Sequence, residues 1–313
     1  MIHTLRGGLR EVARPRVEGT VAVRDGRRLS YAEFGRSGGE PFIWMHGTPG
    51  ARRQIPFDAR TFADENDLRI IGIDRPGIGS STPYLYPNIL DWTKDLEILA
   101  DTLGIDTFRV IGLSGGGPYA LAAGAAMPDR VKAVGVLGGV APLVGVDAIK
   151  GGIINIAPLA APVLKAVRVP MGYAMSRAIR VIRPLAGAAI GAYAAVQPDG
   201  DKFLLREVDF KMMFLDDLLN GSRFQVSAPM ADVVLFARDW GFTAADVSVP
   251  VFWWHGDADH IIPHTHGEHL AARLPRAVFA TVPGQAHLGG LGMAPEVLTT
   301  LLQAGNPVSG LAQ

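Results

Sequence analysis

Hydrophobic residues in this chain fall in short unbroken runs, each stopped by turn residues. "PFIWMHG" (41–47), "LRIIGIDRPG" (68–77), "FRVIGLSGG" (108–116) and "VKAVGVLGG" (131–139) are followed, after a long interval, by "VPVFWWHGD" (249–257) and "AVFATVPG" (277–284). Near-continuous apolarity of this length predicts strands buried on both faces of a parallel sheet. Between the runs lie segments with helical spacing. In "ILDWTKDLEILADTLGI" (89–105), Leu96, Leu99, Ala100 and Leu103 share one helical face, and Gly104 supplies a stop. Upstream, "TVAVRDGRRLSYAEFG" reads as a hairpin turning on Asp25-Gly26. Strand and helix alternate on both sides of the interval, which predicts an α/β fold with helices flanking a mostly parallel sheet.

The interval, residues 141–234, is rich in Ala, Pro, Gly and Met and reads as several helices broken by prolines. A helical insertion at a strand end is placed to roof a site there. The expected organisation is an N-terminal tail (1–16), a core made of 17–140 and 235–305, a helical lid (141–234) and a C-terminal tail (306–313). The lid's charge is lopsided: Lys150, Lys165, Arg168, Arg177, Arg180 and Arg183 lie between Ala148 and Pro198, where there is no Asp or Glu. That basic face is a solvated surface, a lure for anionic substrates, or a peripheral contact with an anionic membrane.

Composition narrows the function classes. The 313 residues are 48% hydrophobic and 19% charged, enough to bury a sizeable core. Thirty basic residues balance thirty acidic ones, so no net field draws nucleic acid. Cysteine is absent, which removes disulfides, thiol nucleophiles and Cys-based metal centres. No G-x-G-x-x-G or G-x-x-x-x-G-K-[ST] appears, so no nucleotide cofactor is expected. The Arg-rich N-terminus has no apolar signal-peptide core and reads as a solvated tail, which gives a cytoplasmic expectation. The longest apolar stretches, such as Leu185–Val196, fall short of the ~18 residues of a membrane span.

Candidate chemistry centres on Ser114. It stands between Gly112 and Gly116, where a buried strand gives way to a small-residue helix. A second G-x-S-x-G, Gly35–Gly39, lies in a polar loop with no helix after it. Only Ser114 has the strand-turn-helix context in which a serine is lifted clear of a sheet and faces the first N–H groups of a helix. Its hydroxyl then needs a base and a group to orient that base. Asp257 and Asp259 follow one late strand and His287 follows the next, giving the order Ser, acid, His.

Over most of its length the chain resembles the α/β-hydrolase fold family. "HGTPG" (46–50) is similar to the family's oxyanion loop, "DRPGIGSS" (74–81) to its post-strand turn, and "GLSGGG" to its nucleophile elbow. "HGDADHIIP" (255–263) is similar to the acid loop and "GQAH" to the histidine loop. The resemblance implies Ser114 as nucleophile, His287 as general base and Asp259, four residues before Pro263, as the orienting acid, with Asp257 as its alternative. It also implies an oxyanion hole from the backbone N–H groups of Thr48 and Gly115.

Other residues have plainer readings. His46 and His255 close strands and are expected to brace loops. His260, His264, His266 and His269 cluster near Glu268 but read as a solvated loop and helix rather than a metal site. The expected function is hydrolysis of a hydrophobic small-molecule ester through an acyl-enzyme, with no cofactor and no metal. Carbon–carbon bond hydrolases and thioesterases of the family share the triad, and a non-catalytic binding protein is the competing class. "HGTPG" is also similar to the "HGGPG" of proline-iminopeptidase-like members. Gripping a substrate amine calls for lid carboxylates, which Ala148–Pro198 lacks.

Overall fold

A computed structural model describes residues 14–304. The tails expected at 1–16 and 306–313 therefore lie outside the described residues, apart from 14–16. The core is an eight-stranded sheet: β1 (Val17–Ala22), β2 (Arg28–Gly35), β3 (Glu40–Met45), β4 (Leu68–Ile73), β5 (Phe108–Leu113), β6 (Val131–Leu137), β7 (Val251–Gly256) and β8 (Ala277–Val282). Their spatial order is β1-β2-β4-β3-β5-β6-β7-β8. The first two strands form the expected hairpin, with Asp25 and Gly26 both at positive φ. β2 meets β4 antiparallel, and every pairing from there on is parallel.

Every residue of β5 is buried, because the sheet is covered on both faces. Strand alternation sends Phe108 and Val110 into one apolar layer with Trp92, Leu96, Leu99 and Tyr119. Ile111 and Leu113 enter the other, with Ala63, Val297, Leu298 and Leu301. The helices that cover the sheet are α1 (Phe57–Glu65), α2 (Thr93–Thr102), α3 (Gly117–Ala126) and, after the insertion, α9 (His264–Ala271), α10 (Gly289–Gly292) and α11 (Ala294–Gln303). Gly104 adopts φ +65° just beyond α2, the left-handed conformation that ends a helix cheaply when no side chain is present.

Between β6 and β7 the chain forms only helices: α4 (Ala157–Ile182), α5 (Ala186–Ala195), α6 (Asp199–Arg206), α7 (Val208–Gly221) and α8 (Ala228–Phe236), with short 3₁₀ turns. Two expectations are corrected here. Pro162 and Pro170 do not break the insertion; both lie inside the 26-residue α4. Each proline frees the carbonyl four residues back, on Pro158 and Ala166, and both of those residues are exposed, so the freed acceptors lie on the solvent side of the helix, where the loss costs least. The expectation that no stretch reaches membrane-spanning length also fails. Ile154–Ala195 runs as near-continuous helix, long and apolar enough to cross a membrane by length and composition. Interspersed Arg and Lys hide this in the linear sequence, where unbroken runs are short.

Candidate active site

A parallel sheet gathers the C-terminal ends of its strands along one edge, and the loops leaving β3, β5, β7 and β8 carry the expected residues to that edge. Ser114 follows β5 directly and holds φ +51°, a left-handed conformation costly for any residue with a side chain. The surroundings leave no alternative. A Cβ on Gly112 would lie 2.5 Å from the Gly116 carbonyl oxygen, and one on Gly116 would lie 2.3 Å from the Met45 oxygen. The two glycines flanking Ser114 are thus required by close backbone approach.

His287 stands between Ser114 and an acid. Its Nε2 is 2.8 Å from Ser114 Oγ and its Nδ1 is 2.7 Å from Asp259 Oδ2. A carboxylate can only accept, so Nδ1 carries the proton and Nε2 is left to receive the serine's. Asp259 is buried, and its other oxygen accepts the backbone N–H groups of Ile261 (2.9 Å) and Ile262 (3.0 Å). Burial pushes its carboxyl upward, but the His255 and His287 hydrogen bonds outweigh that and hold it below the usual carboxylate range. Asp257 is exposed and takes the Gly284 N–H at 2.7 Å instead; the structure brings Asp259, not Asp257, to the imidazole.

His255 braces this arrangement. Its Nδ1 accepts the Trp253 indole N–H at 3.2 Å, which leaves Nε2–H to donate to the Ile262 carbonyl at 2.9 Å, with Asp259 Oδ2 3.3 Å away. His46 is likewise a loop brace: Nδ1 donates to the Gly47 carbonyl at 2.7 Å and Nε2 accepts the Arg75 N–H at 3.3 Å. Burial, with Arg75 close by, pushes its pKa well below the ordinary histidine value. Among the described residues no group of His, Cys, Asp or Glu is arranged to hold a metal ion.

Thr48 and Gly115 abut each other at the mouth of the elbow: a Cβ on Gly115 would fall 2.2 Å from Thr48 Oγ1. The Thr48 hydroxyl is turned to Asp232 on α8, donating to Oδ2 at 2.6 Å. Asp232 also accepts from Arg75 (Nη2, 2.7 Å) and from the Tyr119 hydroxyl (2.8 Å). Arg75 in turn donates to the Gly47 carbonyl and to Thr48 Oγ1, both at 2.8 Å. This buried ion pair fixes the loop that carries Thr48. Sequence reasoning missed it, although a lone carboxylate within the apolar "APMADVVLF" was a signal. It missed Asp201 as well. This buried carboxylate on α6 accepts the Leu288 N–H at 2.8 Å, beside His287, and burial raises its pKa.

A cavity of about 290 Å³ opens beside Ser114, Thr48 and Gly115. Its wall is otherwise apolar, with Val140, Ile154, Ile156, Ala157, Ala160, Leu164, Val233, Phe236, Ile261 and Ile262 and no carboxylate. Such a space takes an apolar group and offers nothing to a cation.

The profile of the alpha/beta hydrolase fold family matches residues 40–157. Among curated proteins, the chain is similar to the proline iminopeptidase of Neisseria meningitidis, 33% identical over 125 residues, which is 39% of this chain and 40% of the relative. It is also similar to the proline iminopeptidase of Arabidopsis thaliana, 35% identical over 120 residues, covering 37% and 31%. The match thus spans about two fifths or less of these relatives' length. Among solved structures, an esterase from a Rhodococcus species superimposes with TM-score 0.66 at 20% identity, covering 92% of this chain and 99% of that one.

Proposed function

The chain has the α/β-hydrolase fold, and on that premise we propose that it is a serine hydrolase cleaving carboxylic esters with an apolar acyl or alcohol part through an acyl-enzyme. The observation that carries the reading is the Ser114–His287–Asp259 hydrogen-bonded series opening onto an apolar cavity. Ser114 Oγ attacks the ester carbonyl as His287 Nε2 takes its proton. The carbonyl oxygen becomes an oxyanion beside the backbone N–H groups of Thr48 and Gly115. Collapse of this intermediate breaks the C–O bond, and His287 gives the proton to the departing alcohol. Water, deprotonated by the same imidazole, then attacks the acyl-enzyme and restores the serine. Asp259 holds the imidazole in the working tautomer and stabilises it when protonated.

The iminopeptidase relatives support a second reading, cleavage of a peptide after its N-terminal residue. The match covers only two fifths or less of those relatives, and the cavity wall lacks the carboxylate that a free amine would need, which favours the ester. Rates on nitrophenyl esters of increasing acyl length, set beside proline nitroanilide, separate the two. The expected result is higher kcat/KM on the esters, rising with chain length. Faster turnover of the anilide would make the protein a peptidase. A fluorophosphonate probe should label the wild type but not Ser114→Ala; failure to label either protein points to a binding module.

A further inference from the structure

The long helix α4 is apolar on the wrong side. In a surface helix of a soluble protein the apolar stripe faces inward and the outward face is polar. Here the inward stripe is apolar where it meets the catalytic cavity, through Ala157, Ala160 and Leu164. The solvent-facing stripe is apolar too. Leu159, Val163, Ala166, Pro170, Ala174 and Val181 recur at steps of three, four and seven residues, all exposed, and only Arg177 interrupts them. Leu159 is 85% exposed and Val181 79%. Arg177 lies in this stripe and Arg180 beside it; Lys165 and Arg183 are exposed further around the helix, Arg168 falls on the opposite side, and Lys150 precedes it, with no acid between Ala148 and Pro198. Among the described residues none of these six cations has an ion-pair partner; Arg168 and Arg180 reach only backbone carbonyls, of Lys165 and Arg223.

We propose that this outer face of α4 is a docking surface for an anionic phospholipid membrane. The apolar stripe would enter the boundary between headgroups and acyl chains while the cations in and beside it meet lipid phosphates. A bilayer offers both kinds of contact at once. A second copy of the chain does not, since a two-fold contact would set this cationic face against itself. Nor is α4 free to cross the bilayer. Ser176 Oγ donates to the Ser222 carbonyl at 2.5 Å, and Gly172 lies so close to the segment before α8 that a Cβ there would be 2.7 Å from Ser227 N. The helix is seated on the protein and presents one side.

The geometry adds a consequence for the reaction, which rests on the ester reading above. The same helix lines the cavity with its inner face, so a membrane-borne ester would need to travel only around α4 to reach Ser114. The docking itself does not depend on that chemistry.

Co-sedimentation with phosphatidylcholine vesicles, with and without phosphatidylserine, tests the docking, and Ser114→Ala protein is run in parallel so that binding is read apart from catalysis. Both proteins are expected to pellet with the anionic vesicles, weakly with neutral ones, and to be released at about 1 M salt, where charges are screened beyond ~3 Å. Arg177→Gln, Arg180→Gln and Arg183→Gln should each weaken partition roughly fivefold. A Leu159→Ser, Val163→Ser, Val181→Ser triple variant should weaken it by about tenfold or more. These residues are exposed, and an unchanged circular dichroism spectrum verifies the fold. The proposal is overturned if folded protein stays in solution with anionic vesicles. It is equally overturned if the same substitutions instead dissociate a dimer, or if bound protein resists salt and needs detergent for release.

Discussion

The Thr48 hydroxyl donates a 2.6 Å hydrogen bond to Asp232, joining the loop after β3 to a helix 184 residues further along the chain. Arg75 binds both partners, so the three side chains form one buried unit under the oxyanion loop. Asp232→Asn removes the counter-charge of a fully buried guanidinium. The expected cost is about 3–5 kcal/mol of stability, measured by denaturant unfolding. Thr48→Val leaves the ion pair in place and is expected to lower kcat with little change in KM, because it loosens the loop rather than the substrate's seat.

Asp259 and Asp257 are two residues apart in sequence but differ in contacts: Asp259 meets the His287 imidazole, Asp257 the Gly284 N–H. Asp259→Asn keeps the shape of the site but lets the amide favour the wrong imidazole tautomer. A fall in kcat on the order of 10⁴ is expected on a nitrophenyl ester. Asp257→Asn disturbs only a bond to the Gly284 N–H and should leave kcat within about threefold of wild type, the sort of effect an exposed loop substitution has. Equal losses in the two variants would remove the distinction, and a larger loss for Asp257→Asn would reverse the assignment.

Gly115→Ala places a methyl group where Thr48 Oγ1 and Cβ stand, at 2.2 and 2.8 Å. The triad is untouched, but the elbow and the oxyanion loop are forced apart. Loss of one well-placed donor costs about 10²–10³ in kcat, and a fall of that size is expected while fluorophosphonate labelling of Ser114 persists at a reduced rate.

Asp217 gives a pH-dependent prediction. It is buried on α7, where its two oxygens accept the N–H groups of Ala51 (2.9 Å) and Arg53 (3.0 Å). Burial, with Asp74 nearby, pushes its carboxyl up to about 7. In the unfolded chain an aspartic acid titrates near 4, so between those values the folded state holds the extra proton. Stability is therefore greatest at the low end of this window and declines as pH rises through about 7, by at most about 1.4 kcal/mol per pH unit. Thermal unfolding of the wild type across the window should show that decline, and Asp217→Asn should flatten it. An identical slope in both proteins would remove Asp217 as the source.

The middle of the sheet was legible because strands such as β5 are buried on both faces and therefore appear as unbroken apolar runs, whereas the edge strand β8 buries only Val282; the elbow was legible because backbone crowding at residues 112 and 116 admits only glycine. The ordering of Ser114, Asp259 and His287 could be read because each follows a strand whose end reaches the same edge. What stayed hidden depends on contacts across long sequence distances. Nothing near Asp232 in the chain announces Arg75, and Asp201 gives no local sign that it receives the Leu288 N–H. The uninterrupted α4 was hidden for another reason: the cost of an internal proline depends on where the orphaned carbonyl points, and linear order does not say.

Two carboxylates from the helical segment, Asp201 and Asp232, reach down to hold the loops that present His287 and Thr48. The helical segment is consequently tied into the loops of the candidate site rather than laid over them as an exchangeable cover. Grafting a foreign helical segment onto this sheet would preserve the serine's perch yet unmoor the imidazole and the oxyanion loop together, so specificity here cannot be re-engineered by swapping roofs unless both anchors travel with the graft.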